Sequence, residues 1–187
     1  GFFDRNRQHV IEQGYDPSRL PPGQYLTDKW PVLHAGSVPH VDRSLWTLRV
    51  FGEVENEITL TWSEFAALPH SSNVQDIHCV TRWSRLDASF EGVAIQTILE
   101  RAGVKPEGKF VLAHCEQGYT TNMPYEVLDD DDVLLCDTAD DEPLTPEHGA
   151  PLRLLVPKRY FWKSAKWIRG LQLLTRDQLG FWERYGY

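Results

Sequence analysis

Alternating apolar and polar residues give the first clear structural signal in the chain. Trp46, Leu48 and Val50 occupy every second position, which is the period of a β-strand with one buried face. Similar short apolar runs recur towards the C-terminus. They predict further strands over residues 57–61, 73–79, 110–116, 133–137, 152–156 and 167–174.

Helical patterns are short and lie between these strands. Thr61 followed by Glu64 forms a capping-box signature, which predicts a helix that runs up to Pro69. Residues 94–102 place their apolar side chains on one helical face, and Gly103 supplies a terminator. A further helical turn is predicted over residues 124–128.

This mixture predicts one α+β domain. Short strands and short helices follow one another without regular βαβ alternation. Residues 1–29 are polar and carry three prolines, so we expect an N-terminal arm that wraps the domain, with one helical turn near residues 6–13. The domain itself is expected to cover residues 30–187.

Composition excludes several classes of protein. The 187 residues carry a formal net charge of −8, which argues against nucleic acid or anionic lipid as the main partner. No apolar run approaches the roughly 20 residues of a membrane span, and no signal peptide heads the sequence. The opening Gly-Phe-Phe-Asp is compatible with a trimmed leader. The compartment, cytoplasmic or periplasmic, is therefore left open.

Positive charge is concentrated in one stretch of this acidic chain. Residues 157–170 hold five basic side chains, four aromatic ones and no acids. Lys163 and Lys166 flank Ser164 at a spacing that lets one turn direct two ammonium groups and a hydroxyl at one phosphate. The stretch therefore predicts a site for a bound anion.

A cysteine in the stretch Asp76–Ser84 is the second candidate for chemistry. Cys79 ends a predicted strand, where a loop can expose the sulfur, and a thiolate is both a nucleophile and a ligand for soft metals. On this stretch alone a small buried cysteine is the better interpretation. Cys115 and Cys136 lie within apolar strands and are interpreted as core residues.

Five ordered motifs together resemble the molybdenum-cofactor domain of the sulfite oxidase family. The similarity is closest to the small single-domain bacterial members and to sulfoxide reductase catalytic subunits. The motifs are WPVLHAGSVP at residues 30–39, DIHCVTRWS at 76–84, QGYTTNMP at 117–124, HGAPLRLLVP at 148–157 and KSAKWIRG at 163–170.

The resemblance implies a mixed-sheet sulfite-oxidase-type fold that binds molybdopterin and molybdenum, without a nucleotide on the phosphate. Cys79 would be the one protein ligand of the metal. Tyr119 would face the open side of the metal, where a phenol can donate a hydrogen bond. Arg82 would either hold cofactor or attract a substrate oxyanion. The remaining implied cofactor contacts are His34, His148, Arg153, Lys163, Ser164 and Lys166. Arg153 also has a physical argument, since an arginine in an apolar strand is costly unless an anion pairs with it.

The activity implied by the resemblance is two-electron oxygen-atom transfer to or from a small oxyanion or sulfoxide-type substrate. Electrons would pass through a separate partner, a haem protein or a membrane subunit, because the sequence carries no haem-attachment, iron–sulfur or dinucleotide motif. Two alternatives stay open: a non-catalytic molybdopterin-binding module, and a hydrolase with Cys79 as nucleophile beside His78, His114 or His148.

The end of the chain carries one further expectation. Only 13 residues follow Leu174. That leaves no room for the β-sandwich or haem domains of larger sulfite oxidases, and the chain ends before the His- and Arg-containing tail that small members usually have.

Overall fold

The computed structural model describes residues 1–31, 37–79, 81–156, 165–180 and 184. The helices in these ranges are α1 (Phe2–Glu12), α2 (Trp62–Ala66), α3 (Ile95–Ala102) and α4 (Tyr125–Leu128), with 3-10 turns at Pro17–Arg19, Glu116–Gly118 and Pro146–His148. The strands are β1 (Tyr25–Leu26), β2 (Thr47–Gly52), β3 (Ile58–Thr61), β4 (Ser71–His78), β5 (Trp83–Ala94), β6 (Phe110–Cys115), β7 (Thr120–Pro124), β8 (Leu134–Ala139), β9 (Glu142–Pro143), β10 (Arg153–Leu155) and β11 (Ile168–Leu174).

The described strands form two mixed sheets. The first has the order β1-β5-β8-β10, with β4 paired to β5 and β9 paired to β8. The second has the order β3-β2-β11-β6-β7. Strand β1 is parallel to β5 and β2 is parallel to β11, while the other pairs are antiparallel. The predicted α+β class is confirmed.

Local chemistry fixes the ends of the predicted helices. Thr61 accepts from the Glu64 backbone N–H and Glu64 accepts from the Thr61 N–H, so the capping box that starts α2 is present. Gly103 ends α3 with a φ of 69°, a left-handed conformation that glycine adopts without a Cβ penalty.

Two elements differ from the sequence expectations. Helix α1 spans 11 residues instead of one turn, although Val10 is the only residue in it that is buried. One buried position gives no repeating pattern to detect. Strand β5 spans 12 residues and is absent from the predicted elements, although Leu86, Ala88 and Phe90 alternate with polar residues along it. It is the centre of the first sheet, where it pairs with β1, β4 and β8.

The first sheet is buried on both faces. Leu135 of β8 and Leu154 of β10 belong to the main core, which also takes residues from the second sheet. Their neighbours on the opposite face belong to a smaller group, here called the second cluster: Ile77, Cys79, Trp83, Ala88, Phe90, Leu134, Cys136 and Leu155. Because side chains alternate along a strand, Arg153 lies on the same face as Leu155, which is the face of the second cluster.

In the ranges that the structure describes, no helix combines the length and the apolar composition that crossing a bilayer requires.

Candidate functional site

Cys79 directly follows β4 and opens the tight turn into β5. Its backbone N–H donates to the Trp83 carbonyl at 2.8 Å, and its carbonyl accepts from the Arg82 N–H at 2.9 Å. Arg82 has a φ of 75° in this turn, and its side chain is exposed. The turn therefore places a thiol and a guanidinium within four residues of each other.

The Cys79 side chain is buried, so the expectation that the loop exposes the sulfur is wrong. Cys79 is 2% exposed and belongs to the second cluster, because Trp83 and Phe90 of β5 pack on the same sheet face. Its Sγ lies 3.1 Å from the Thr81 hydroxyl oxygen. The sulfur thus sits in an apolar setting with one short polar contact from its own turn.

Arg153 is a buried cation on the same sheet face as Cys79. It is 3% exposed and pairs in register with Cys136 of β8, a member of the second cluster. Its Nη1 donates to the His148 carbonyl at 3.0 Å. Burial lowers the pKa of Arg153 to about 10, so the guanidinium remains charged at neutral pH.

Lys166 adds a second cation near Arg153, and the side-chain stems of both residues lie close to Gly149. Gly149 has a φ of 107°, and a Cβ built on it would lie 3.0 Å from Lys166 Cβ and 3.2 Å from Arg153 Cβ. The Lys166 Nζ donates to the Glu147 carbonyl at 3.0 Å and lies 4.8 Å from the Trp167 ring centroid. Burial and the nearby Arg153 lower the pKa of Lys166 to about 8. Two neighbouring cations in a buried setting favour a bound anion.

His148 borders the same cations and is half-buried. Burial, Arg153 and Lys166 lower the pKa of His148 below its ordinary value, so its ring is neutral at pH 7. A neutral imidazole carries one N–H donor and one acceptor nitrogen. Its ring centroid lies 6.3 Å from that of Trp30. His148 therefore offers hydrogen bonds without adding a third charge.

A cavity of about 130 Å³ opens beside these residues, and its walls include Trp30, Phe90, Asp140, Thr145, His148 and Arg153. The Asp140 carboxylate forms one wall. It accepts from the Trp30 indole N–H at 3.1 Å and is paired with Arg85. The volume is below the ~300 Å³ at which typical ligand pockets begin, so the cavity is large enough only for a small ligand or for one part of a larger one.

Tyr119 lies at the end of the second sheet, directly before β7. Its carbonyl accepts from the Cys115 N–H at 2.8 Å, and its side chain is partly buried. The preceding 3-10 turn is tied to the Lys166 segment, because the Glu116 N–H donates to the Trp167 carbonyl at 2.9 Å. Two of the predicted motifs are thus held together by the backbone.

The predicted contacts His34, Lys163 and Ser164 lie outside the described residues. The motif that contains His34 is nevertheless represented by Ser37, whose hydroxyl accepts from the Gln117 side-chain amide at 3.1 Å. This bond links residues that follow His34 to the loop that carries Tyr119.

Sequence reasoning did not assign three residues that shape the site. Trp30 and Gly149 both lie in motifs that the sequence shows, at residues 30–39 and 148–157. Neither was predicted to contact the cofactor or to shape the site. Asp140 lies within residues 129–142, which hold eight carboxylates and no basic residue, a composition typical of solvated surface. Its positive φ of 50° and its pairing with Arg85 have no local sequence signal.

The donor set fits a ligand with two different ends. A thiol is a strong donor to a soft metal, and it lies on the same sheet face as Arg153, beside which Lys166 adds a second cation suited to a phosphate. A neutral histidine and an indole lie beside the cavity and suit a flat, hydrogen-bonding ring system.

Comparison with known proteins adds a family match. Residues 35–182 match the model of the oxidoreductase molybdopterin-binding domain. The uncharacterised oxidoreductase YuiH of Bacillus subtilis is 47% identical over 187 residues, which is 100% of this chain and 92% of that protein. The protein-methionine-sulfoxide reductase catalytic subunit MsrP of Campylobacter jejuni is 28% identical. The alignment covers 87% of this chain and 59% of that protein.

A solved structure shares the fold. The sulfane dehydrogenase SoxCD from Paracoccus pantotrophus superposes with a TM-score of 0.70 at 25% identity. The match covers 76% of this chain and 41% of that chain.

Proposed function

Because this chain belongs to the family of oxidoreductase molybdopterin-binding domains, we propose that it transfers an oxygen atom to or from a small oxyanion or sulfoxide-type substrate, at a molybdenum bound by Cys79. The family resemblance, the oxidoreductase class and the molybdopterin–molybdenum cofactor inferred from the five motifs are confirmed. The substrate class, the direction of transfer and the role of each residue are the proposal.

The observation that carries the proposal is the position of Arg153, which lines the cavity on the sheet face of Cys79 and whose side-chain stem passes Gly149 next to that of Lys166. In this assignment the two cations hold the phosphate of the cofactor. Both have pKa values lowered by burial, and an anion between them relieves the cost of that burial. Charge-assisted contacts of this kind are about twice as strong as neutral ones.

The pterin part of the cofactor is assigned to the residues around the cavity. His148 supplies a donor and an acceptor, and Trp30 supplies an aromatic wall. By family resemblance His34, Lys163 and Ser164 add further contacts. The side chains orient the cofactor, and the redox chemistry belongs to the cofactor itself.

Cys79 is assigned to the metal end. Coordination to a metal deprotonates a thiol outright. When bound, molybdenum supplies a two-electron change that accompanies gain or loss of one oxygen atom. The Thr81 hydroxyl, 3.1 Å from the sulfur, can donate a hydrogen bond to the thiolate and limit its donor strength.

The overall reaction balances in either direction. Sulfite and water give sulfate, two protons and two electrons, whereas a sulfoxide, two protons and two electrons give a thioether and water. Tyr119 is assigned as the hydrogen-bond donor to the oxygen that is transferred, and Arg82 is assigned to attract an anionic substrate. Similarity to a protein whose name specifies methionine sulfoxide reduction supports the sulfoxide direction.

Electrons are proposed to reach or leave the site through a separate haem protein or membrane subunit. The relative from Campylobacter jejuni is named as a catalytic subunit, which supports a division of labour between chains. We further propose that residues 1–29 form an arm on a domain that covers residues 30–187. Pairing of β1 with β5 supports this arrangement.

The hydrolase alternative has little support from the geometry. The Cys79 sulfur contacts Thr81, while His78 Nδ1 lies 2.7 Å from the Ser84 hydroxyl and His114 Nε2 lies 2.9 Å from the Gln172 side chain. The contacts of the sulfur and of two of the three candidate histidines, His78 and His114, therefore involve other groups.

The test uses full-length protein purified from a host that makes the cofactor. It measures sulfoxide reduction with a reduced viologen dye and sulfite oxidation with ferricyanide. Protein from a host without the cofactor pathway is the matched control. Turnover in one assay, lost in the control, supports the proposal. Molybdenum-loaded protein that turns over neither substrate contradicts it and favours the non-catalytic binding module.

A further inference from the structure

The N-terminal arm reaches the Cys79 turn through one side chain, that of Gln24. Its Nε2 donates to the Cys79 carbonyl at 3.0 Å, and its Oε1 accepts from the Ser84 hydroxyl at 2.9 Å. Ser84 is 0% exposed, so this second bond is shielded from water. Both ends of the Gln24 amide are therefore engaged at the start and end of the same turn.

The Cys79 carbonyl, which Gln24 contacts, also takes part in the turn's own backbone hydrogen bonding. It already accepts from the Arg82 N–H at 2.9 Å, so Gln24 supplies a second donor to the same oxygen. A carbonyl oxygen has two acceptor positions, and both are filled here. Filling both positions fixes the peptide plane after Cys79 and hence the backbone that carries the sulfur.

Ser84 extends this contact to the other side of Cys79. Its Oγ lies 2.7 Å from His78 Nδ1, and His78 is the residue directly before Cys79. The Gln24 amide thus bonds to the carbonyl of Cys79 itself and reaches the preceding residue through one hydroxyl. Hydrogen bonds at the Cys79 carbonyl and at the preceding His78 side chain therefore restrict movement of the cysteine on both sides.

Further hydrogen bonds and ion pairs hold the arm against the strands that flank the Cys79 turn. Arg19 makes a two-point contact with Asp76 at 3.0 and 2.6 Å and also reaches Asp87 at 2.6 Å, so it ties the arm to both strands that flank the turn. The Asn6 side chain donates to the Gln24 carbonyl at 3.3 Å. Gln24 is therefore held at its own backbone as well as at its side chain.

We propose that Gln24 is a positioning residue for the Cys79 sulfur. This inference rests on the proposed function, in which that sulfur binds molybdenum. The arm then has a specific task, because its side chain fixes the angle at which the thiolate is presented. Loss of the amide donor should loosen the turn without removing any group that contacts the cofactor.

Two variants test this inference. Gln24→Glu keeps the acceptor for Ser84 but turns a carboxylate oxygen towards the Cys79 carbonyl, and Gln24→Met keeps the length without either hydrogen bond. Gln13→Glu is the matched control, because Gln13 is an exposed glutamine on the same arm. Ser84→Ala removes one of the two bonds and serves where a Gln24 variant does not fold.

The first readout needs no cofactor. Alkylation of each cysteine in cofactor-free full-length protein is followed by peptide mass spectrometry, with buried Cys136 as the internal reference. We expect Cys79 to react about fivefold faster in the Gln24 variants, the factor that corresponds to one ordinary hydrogen bond. Unchanged Cys79 rates overturn the inference, as does an equal rise at Cys136 or in Gln13→Glu, since either indicates general loosening.

The second readout uses protein loaded with molybdenum. The thiolate-to-metal charge-transfer absorption should shift in the Gln24 variants at unchanged molybdenum content, and an unshifted band contradicts the positioning role. The two claims remain separable. Faster alkylation together with a Cys79→Ser variant whose metal spectrum is unchanged would support Gln24 as a support for the turn and reject Cys79 as the ligand.

Discussion

The side-chain stems of Arg153 and Lys166 meet at Gly149. A methyl group on that glycine would lie 3.2 Å from Arg153 Cβ and 3.0 Å from Lys166 Cβ. Both distances are shorter than ordinary van der Waals contact, so only a residue without a side chain leaves room for both stems at this position.

Arg153→Met should separate cofactor binding from folding. Loss of a charged hydrogen-bonding group is expected to weaken cofactor retention by about 2 kcal/mol, or roughly 30-fold. The stability of the cofactor-free protein should be unchanged within about 1 kcal/mol or higher, because replacing a buried charge by an apolar side chain is often neutral or stabilising. Molybdenum content after dialysis and thermal unfolding measure the two effects. Exposed Arg176→Met is the control, and full molybdenum content in Arg153→Met would refute the assignment.

Gly149→Ala should cost more stability than Gly118→Ala. Both glycines have positive φ, 107° and 76°, so both substitutions introduce backbone strain of about 1–3 kcal/mol. A Cβ at Gly118 would have nothing within 4 Å, whereas one at Gly149 would press on two stems. The extra contact should add at least about 1 kcal/mol to the loss in free energy of unfolding, measured by denaturant titration. Equal losses would show that the steric contact is unimportant.

Lys166→Met should be more stable than the wild type at neutral pH, and this difference in stability should shrink at alkaline pH. Burial and Arg153 lower the pKa of Lys166 from 10.5 to about 8 in the folded state. Between pH 8 and pH 10.5 the unfolded chain binds more protons than the folded chain. The stability of the wild type therefore rises with pH across this range. The variant has no such group. Its higher melting temperature at pH 7 should therefore shrink between pH 8 and 10.5. A gap that is constant with pH, or equal to that of exposed Lys29→Met, would contradict the lowered pKa.

Tyr119→Phe should reduce turnover without loss of cofactor. Removing a hydrogen-bond donor to developing charge typically lowers kcat by about 10²-fold. Molybdenum content and KM should stay near the wild-type values, because the phenol is assigned to the transferred oxygen alone. Steady-state kinetics beside Tyr125→Phe, a partly buried tyrosine on α4, provide the check. Unchanged kcat would remove Tyr119 from the reaction.

The local elements of the fold could be predicted because their signals are local. The capping box at Thr61 and the glycine stop at Gly103 involve residues a few positions apart, and both are present. The central strand β5 was missed although Leu86, Ala88 and Phe90 alternate. The motif at residues 76–84 overlaps its start and indicated a turn there, but the turn ends where the strand begins, at Trp83.

The site could be predicted only as a set of residue types. Arg153 was identifiable, because a charge within an apolar strand needs an explanation. The burial of Cys79 was not, since it depends on Phe90 and Leu155, which the chain brings to the same sheet face from distant positions. Gln24 gave no signal at all, because its role depends on contacts 55 and 60 residues away.

The most direct test of the account is metal analysis and X-ray absorption spectroscopy of purified wild type, Cys79→Ser and Cys115→Ser. Cys115 is a partly buried cysteine outside the site, so its variant should match the wild type. We predict molybdenum in the wild type, with one more sulfur ligand than the dithiolene of the cofactor provides, and loss of that ligand or of the metal in Cys79→Ser. Wild-type protein without molybdenum from a host that makes the cofactor, or a Cys79→Ser variant with the wild-type spectrum, would contradict the central claim.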